Sequence, residues 1–146
     1  MKKIVKIVSL ICIILTVTAC DGQKILTPST LDPAITSFVT TYFPQSTITS
    51  AIYEDHEYDL LLSDGVKLEF DKKFNWKEID CEHSTIYQEV PNVLVPPAIK
   101  NYVTSNYSQN RIVKISQDRD GWSVDLDNNI EIEFDKGFKV REIDLG

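Results

Sequence analysis

Between Pro33 and Asp80 the spacing of apolar positions switches once, and the same switch recurs 64 residues further on. Ile35, Phe38, Val39 and Tyr42 fall at i, i+3, i+4 and i+7, which predicts a helix with one apolar stripe. Asp32 suits its N-cap and Pro33 its first turn, while Pro44 ends it by disfavouring helix at Phe43. The second stretch repeats this with Pro97, Ile99, Tyr102, Val103 and Asn106. The period then becomes two. Residues 48–53 and 57–62 read as strands, the latter with Tyr58, Leu60 and Leu62 on one side. Asp64-Gly65, matched by Asn128-Asn129, predicts a two-residue hairpin turn with positive φ at both positions. Val66, Leu68 and Phe70 alternate with Lys67 and Glu69, as Ile130, Ile132 and Phe134 do with Glu131 and Glu133. Turns at Lys72-Lys73 and Lys136-Gly137 lead into last strands expected to carry Phe74 and Trp76, or Phe138 and Val140. There Ile79 and Ile143 take the other parity, which predicts β-bulges near Lys77 and Arg141.

About a third of the positions from Pro33 to Asp80 are identical to their partners at the 64-residue offset. A fixed internal period is the signature of a repeated structural unit. The expected fold is therefore α+β: a tandem repeat of a helix followed by a four-stranded antiparallel meander. Some 50 residues bury too little apolar surface to be secure alone. The two units, 31–81 and 95–146, are accordingly expected to share one curved sheet with both helices on a single face.

Upstream of that pattern lies a targeting segment. Lys2, Lys3 and Lys6 precede an apolar run from Ile7 to Val17, and then Val17-Thr18-Ala19-Cys20. That ending resembles the bacterial lipobox, so residues 1–19 are read as a lipoprotein signal peptide and Cys20 as the acylated first residue. The run is short for about 30 Å of hydrocarbon. Residues 20–30 are read as a tether. The mature chain would hold 12 basic against 22 acidic residues, a net charge of −10. Such a balance excludes nucleic acid, whose phosphates need a cationic face. It also leaves membrane attachment to the acyl chains rather than to charge. Of the other cysteines, Cys12 lies in the signal and Cys81 has no partner, so no internal disulfide is expected.

Catalytic constellations are absent from the pattern. The two histidines, His56 and His83, have no evident orienting acid, and no serine sits in a G-x-S-x-G elbow. Cys81 and His83 form a C-x-H pair without a second pair of ligands, too few for a closed zinc site. Asp125-x-Asp127-x-Asn129 resembles the start of a calcium loop, but Ile130 stands where glycine is needed and Lys136 where the bidentate glutamate belongs. A hairpin explains those residues. No enzyme, metal or cofactor is expected.

Helix, a strand with a D-G turn, E-F-D-K, then F-x-W-x-E-I-D, occurring twice behind a lipobox, resembles the secreted PepSY-like, β-lactamase-inhibitor-like proteins of bacteria. The resemblance spans Leu31 to Asp144. It implies tandem repeats with a concave antiparallel sheet. In the true inhibitors that face grips a protein, and PepSY domains are associated with restraining peptidases. This chain has neither their disulfide pairs nor a loop matching their inhibitory loops. The expectation is a non-catalytic, lipid-anchored protein of the cell envelope, on the periplasmic side or the cell surface. It would bind a protein or peptide, preferably basic, through the sheet. Lys67, Glu69, Trp76, Glu131 and Glu133 are the candidate face residues, Trp76 because its counterpart is Val140. The alternative is a small-ligand or divalent-cation module using the repeated acids Glu69, Asp71, Glu78, Asp80, Glu133, Asp135, Glu142 and Asp144.

Overall fold

The structure, a computed structural model, describes residues 22–146; the expected signal segment and the expected acylation site Cys20 lie outside the described residues. The order of elements is β1 (Lys24–Leu26), α1 (Pro33–Tyr42), β2 (Ile48–Glu54), β3 (Glu57–Leu62), β4 (Lys67–Asp71), β5 (Trp76–Asp80), α2 (Pro97–Asn106), β6 (Ile112–Gln117), β7 (Gly121–Leu126), β8 (Glu131–Asp135) and β9 (Val140–Asp144). Short 3-10 turns at Pro28–Thr30 and Asn92–Leu94 precede the helices. All nine strands form one antiparallel sheet in chain order, so every strand pairs with its sequence neighbours.

Both helices are placed by the residues the apolar stripes predict. Asp32 Oδ1 accepts the Ala34 N–H at 2.8 Å and caps α1. Ile35 and Val39 of α1, and Ile99 and Val103 of α2, are buried. Phe38 meets Phe70 edge-on at 5.2 Å, and Tyr102 meets Phe134 in the same way at 5.5 Å. Phe70 and Phe134 lie in one cross-strand row, which runs from Tyr58 through Phe70 and Trp76 to Gln117, Trp122, Phe134 and Val140. The helices thus cover the same face. Leu68, Ile79, Ile115, Val124 and Ile132 complete a continuous core beneath them, without a break where β5 meets β6.

The strand connections differ from the two-residue turn the D-G pair suggests. Leu62 N–H donates to the Val66 carbonyl at 2.8 Å, and Gly65 N–H to Leu62 at 3.0 Å, closing a three-residue loop. Only its last residue has positive φ: Gly65 at 99° and, in the matching loop, Asn129 at 65°. This is a type I turn closed by a left-handed residue. The next turns repeat the device with Phe74 and Phe138, at φ 67° and 63°, so these phenylalanines belong to the turns and not to the last strands. Left-handed backbone costs a residue with a Cβ roughly 1–2 kcal/mol. The cost is offset locally. Asp71 Oδ1 accepts the N–H groups of Lys73 and Asn75 at 2.8 and 2.9 Å, and Asp135 Oδ1 those of Gly137 and Lys139 at the same distances. The Phe74 ring packs on Tyr58 and that of Phe138 on Trp122. Bulges leave Lys77 and Arg141 out of register, where the slip in alternation predicts them.

Within the segment expected to be a tether, Lys24–Leu26 forms β1 and pairs with Tyr53, Ile52 and Ala51 of β2. Its alternation is too short to stand out in the sequence; Leu26 packs on the core while Ile25 is exposed.

Candidate protein-binding face

The face away from the helices is read directly from strand parity. One cross-strand row runs Ile52, Asp59, Glu69, Glu78, Ser116, Ser123, Glu133, Glu142. The next runs Leu61, Lys67, Asp80, Lys114, Asp125, Glu131, Asp144. Nine carboxylates therefore project from two adjacent rows. Glu57 belongs to the same face, and Lys77 turns to it through the bulge and forms an ion pair with Glu57. Arg141 occupies the equivalent bulge.

The structure brings four of the five expected face residues together. Lys67 lies opposite Asp80, Glu69 opposite Asp59 and Glu78, Glu131 opposite Asp125 and Asp144, and Glu133 opposite Ser123 and Glu142. Trp76 is not among them. It lies in the row beneath the helices, with its ring 5.9 Å from that of Trp122. The bulge at Lys77 sets Trp76 on the same side as Ile79 and on the opposite side from Glu78. Its asymmetry with Val140 reflects packing: Trp76 and Trp122 fill the space over the β5–β6 junction, which Val140 on the outer strand does not face.

The residues that organise this face are ones sequence patterning left unmarked. Lys114 Nζ contacts Glu78 Oε1 at 3.1 Å and stands between Asp80 and Asp125 in its row. Burial works to lower the Lys114 ammonium, but Glu78, Asp125 and Asp80 around it hold it above its ordinary value. Burial pushes the Asp125 carboxyl up to about 6; Lys114 opposes this, and Glu131, Glu78 and Glu82 reinforce it. Asp80 is buried and accepts the Glu82 N–H at 2.9 Å. Ser123 Oγ donates to Glu131 Oε1 at 2.9 Å. The missed signal was parity across the junction: Lys114 and Asp125 alternate with buried Ile115 and Val124, as Lys67 and Glu69 do with Leu68 and Phe70.

The other candidate groups are spent on the fold. Asp127 accepts from Asn110 Nδ2 at 2.9 Å and from Arg111 Nε at 3.1 Å; these bonds hold its carboxyl below the usual range, and it does not share a ligand set with Asp125. Asp71 and Asp135 bind their own turns. For Asp71, burial favours the neutral acid, but hydrogen bonds from Asn75 and Lys73 prevail and lower its pKa. Among the described residues no group of three or more His, Cys, Asp and Glu side chains is arranged to hold a metal ion. Cys81 is buried, and burial beside Asp80 and Asp64 pushes its thiol up to about 12, far from a reactive thiolate. His56 sits in the β2–β3 turn at φ 68° with Nδ1 3.5 Å from the Tyr53 hydroxyl, remote in the chain from His83. An open hollow of about 460 Å³ near Tyr42, Tyr87 and Arg111 gathers no such group, its Arg111 being tied to Gln88 and Asp127. Among the described residues no helix is long and apolar enough to cross a membrane.

Comparison with known proteins places this architecture. A family model described as putative beta-lactamase-inhibitor-like, PepSY-like matches residues 18–75 and 56–142. The sequence has no match among curated proteins. Solved structures share the fold, among them three from Bacteroides species. A putative periplasmic protein from Bacteroides vulgatus is 37% identical with a TM-score of 0.78, covering 86% of this chain and 99% of its own. A putative calcium-regulated periplasmic protein from Bacteroides thetaiotaomicron is 33% identical with a TM-score of 0.76, covering 84% and 96%. A second periplasmic protein from Bacteroides vulgatus, itself of unknown function, is 29% identical with a TM-score of 0.77, covering 84% and 99%. With the family model spanning nearly all of the sheet and both helices, the chain belongs to the PepSY-like, beta-lactamase-inhibitor-like family.

Proposed function

We propose that this chain is a non-catalytic, lipid-anchored protein of the cell envelope that binds a basic protein or peptide through its helix-free sheet face. The two stretches of helix and four strands, 64 residues apart, are read as copies of one unit that together widen this face. The observation that carries the reading is the pair of acidic rows. Asp59, Glu69 and Glu78 follow one another across three strands, and Asp125, Glu131 and Asp144 across three others. Like charges set directly opposite destabilise a sheet. Lys67, Lys77, Lys114 and Arg141 are outnumbered by the carboxylates of this face, so its field is negative and favours a cationic partner. Restraint of an envelope enzyme, such as a peptidase, is the use of this face that the family suggests. The Val17-Thr18-Ala19-Cys20 ending supports attachment through Cys20, and the periplasmic neighbours support the compartment.

The test is pull-down from envelope extract with the chain and with a Glu69→Gln/Glu133→Gln variant, alongside melting against cationic and anionic peptide libraries. Selective, salt-sensitive recovery lost in the variant is expected. Recovery of no partner, with melting unchanged by either library, would sink the reading. A second reading, a divalent-cation module, is favoured by the neighbour described as calcium-regulated, which is 33% identical. Calcium that binds the native face must raise the melting temperature. A calcium-dependent rise abolished by Glu69→Gln/Glu133→Gln would favour this second reading over the first.

A further inference from the structure

β5 and β9 end in the same tripeptide, Glu-Ile-Asp, at 78–80 and 142–144. Their inner sides are the same. Leu68 faces Ile79 and Glu69 faces Glu78, as Ile132 faces Ile143 and Glu133 faces Glu142, with a bulge at the same place in each pair. Their outer sides differ. β5 is covered by β6, where Glu78 faces Ser116, Ile79 faces Ile115 and Asp80 faces Lys114, and Cys81 N–H donates to the Val113 carbonyl at 2.8 Å. Among the described residues nothing pairs with the outer side of β9. Ile79 and Cys81 are 0% and 2% exposed, whereas Ile143 and Leu145, 64 positions on, are 38% and 72% exposed.

The other end of the sheet shows what this architecture does with such an edge. β2, which matches β6 at the offset, is covered by β1: Leu26 faces Ala51 as Ile79 faces Ile115. An exposed strand edge presents unpaired N–H and C=O groups and templates a further strand. Proteins blunt such edges with proline, charged side chains or bulges. β9 has no proline, and its bulge and Arg141 lie near its start. The charges beyond them, Glu142 and Asp144, repel a second acidic edge while leaving this one open to a cationic strand.

We propose that the outer edge of β9 accepts an extended segment of a partner protein as a tenth strand, with a basic, an aliphatic and a small polar residue in succession. This goes beyond the sheet-face reading, and neither depends on the other. The occupant is specified by β6, whose Lys114-Ile115-Ser116 fills the equivalent edge within the chain. Its lysine lies opposite Asp80 and 3.1 Å from Glu78; on β9 the corresponding acids are Asp144 and Glu142, backed by Glu131 and Glu133 of β8. Its isoleucine would cover Ile143 as Ile115 covers Ile79. By the same shift, the Leu145 N–H is the donor that Cys81 supplies in β5. Two copies of β9 paired about Ile143 would set Glu142 of each against Asp144 of the other, which is repulsive.

The probe is a fluorescent peptide with the sequence of Arg111–Asp118, titrated into the full chain by anisotropy, with amide exchange followed along β9. Expected is saturable binding with slowed exchange at Ile143 and Leu145. A Lys114→Glu peptide should bind about tenfold more weakly, as should the parent peptide to Asp144→Lys or Leu145→Pro chains. Both chain substitutions lie at exposed positions, so the fold is retained and circular dichroism checks it. No binding, equal binding of the two peptides, or binding untouched by both chain variants overturns the proposal. So does a doubled mass with β9 protected before any peptide is added. Weakening by Glu69→Gln alone would move the peptide to the sheet face and leave that reading standing while this one falls.

Discussion

Lys114 Nζ lies 3.1 Å from Glu78 Oε1 across the line where β5 meets β6, so one ion pair ties the two halves of the sheet together. Neither residue is fully exposed, their side chains being 24% and 21% accessible. A pair so placed escapes much of the solvent screening that makes surface salt bridges nearly worthless. Its significance lies less in the pair than in what surrounds it, since Asp80 and Asp125 are the row neighbours of Lys114.

Lys114→Met should therefore cost more than the loss of one ion pair. The substitution keeps the packing of the stem and removes the cation, leaving Glu78, Asp80 and Asp125 facing one another. A destabilisation of about 2 kcal/mol at pH 7 is expected, between the values for exposed pairs and for fully buried ones. Urea unfolding measures it. Adding Asp125→Asn should recover part of the loss, and by more than the same substitution gains in the parent, because without Lys114 the acid is stranded. Equal gains in the two backgrounds would show that Lys114 and Asp125 are not coupled.

Asp125 gives the pH dependence its sign. Its carboxyl stands at about 6 in the fold against an ordinary value of 3.8, so between those pH values the folded chain binds more proton than the unfolded one. Asp125 thus opposes stability more and more as pH rises from about 4 to 6, and fully above that. Asp125 is only partly buried and solvent screens it, so the effect stays below about 3 kcal/mol. Asp71 and Asp127, held low, act the other way: their contribution is present above the ordinary carboxylate range and is lost as pH falls through their folded values. Comparison of variant with parent isolates Asp125. Asp125→Asn should be more stable than the parent at pH 7, with the advantage shrinking toward pH 4. An advantage that does not change with pH would contradict the shift.

Much of this architecture was legible in the residues. The change from a 3.6 to a 2 period located both helices and β2, β3, β4 and β8, because burial on one side of each element enforces that spacing, while β6 and β7 were reached only through the 64-residue offset. The slips at Lys77 and Arg141 were visible because a bulge moves side chains to the other face. β1 was not legible: three residues carry no period, and their pairing depends on the β2 edge, 25 residues downstream. The phenylalanines in the left-handed turns were misread because an aromatic between charged residues reads as strand. What allows Phe74 there is the Asp71 carboxylate binding two backbone N–H groups, a feature carried by the preceding residue type rather than by Phe74 itself. The acidic face was half legible. Parity placed Lys67, Glu69, Glu131 and Glu133 together, but Lys114 and Asp125 acquire their role only from the β5–β6 junction.

Trp76 belongs to the packed side, so its truncation should weaken the fold and spare recognition. Trp76→Val, the residue at the matching position, removes the ring contact with Trp122 at 5.9 Å. A loss of about 1–3 kcal/mol is expected from the aromatic pair and the vacated volume. Binding of a cationic partner, measured well below the melting temperature, should change less than twofold. Loss of binding with stability unchanged would return Trp76 to the recognition surface.

Gly121 is one position where the two halves depart in backbone. It has φ 153°, and a Cβ there would meet the Phe134 carbonyl oxygen at 2.0 Å. The obstacle is main chain in the neighbouring strand, so no rotamer change relieves it. Asp118 Oδ1 holds the Gly121 N–H at 3.0 Å and fixes the tight entry into β7. The matching residue is Glu57, which carries a full side chain and pairs with Lys77. Gly121→Ala should thus cost about 3 kcal/mol, through backbone strain and separation of β7 from β8. Glu57→Gly, which removes a partly exposed ion pair and adds chain entropy to the unfolded state, should cost only about 1 kcal/mol. Urea midpoints of the two variants in parallel test the asymmetry. Equal losses would mean that β7 can shift away from Phe134, and that the glycine is a convenience of sequence rather than a demand of the pairing.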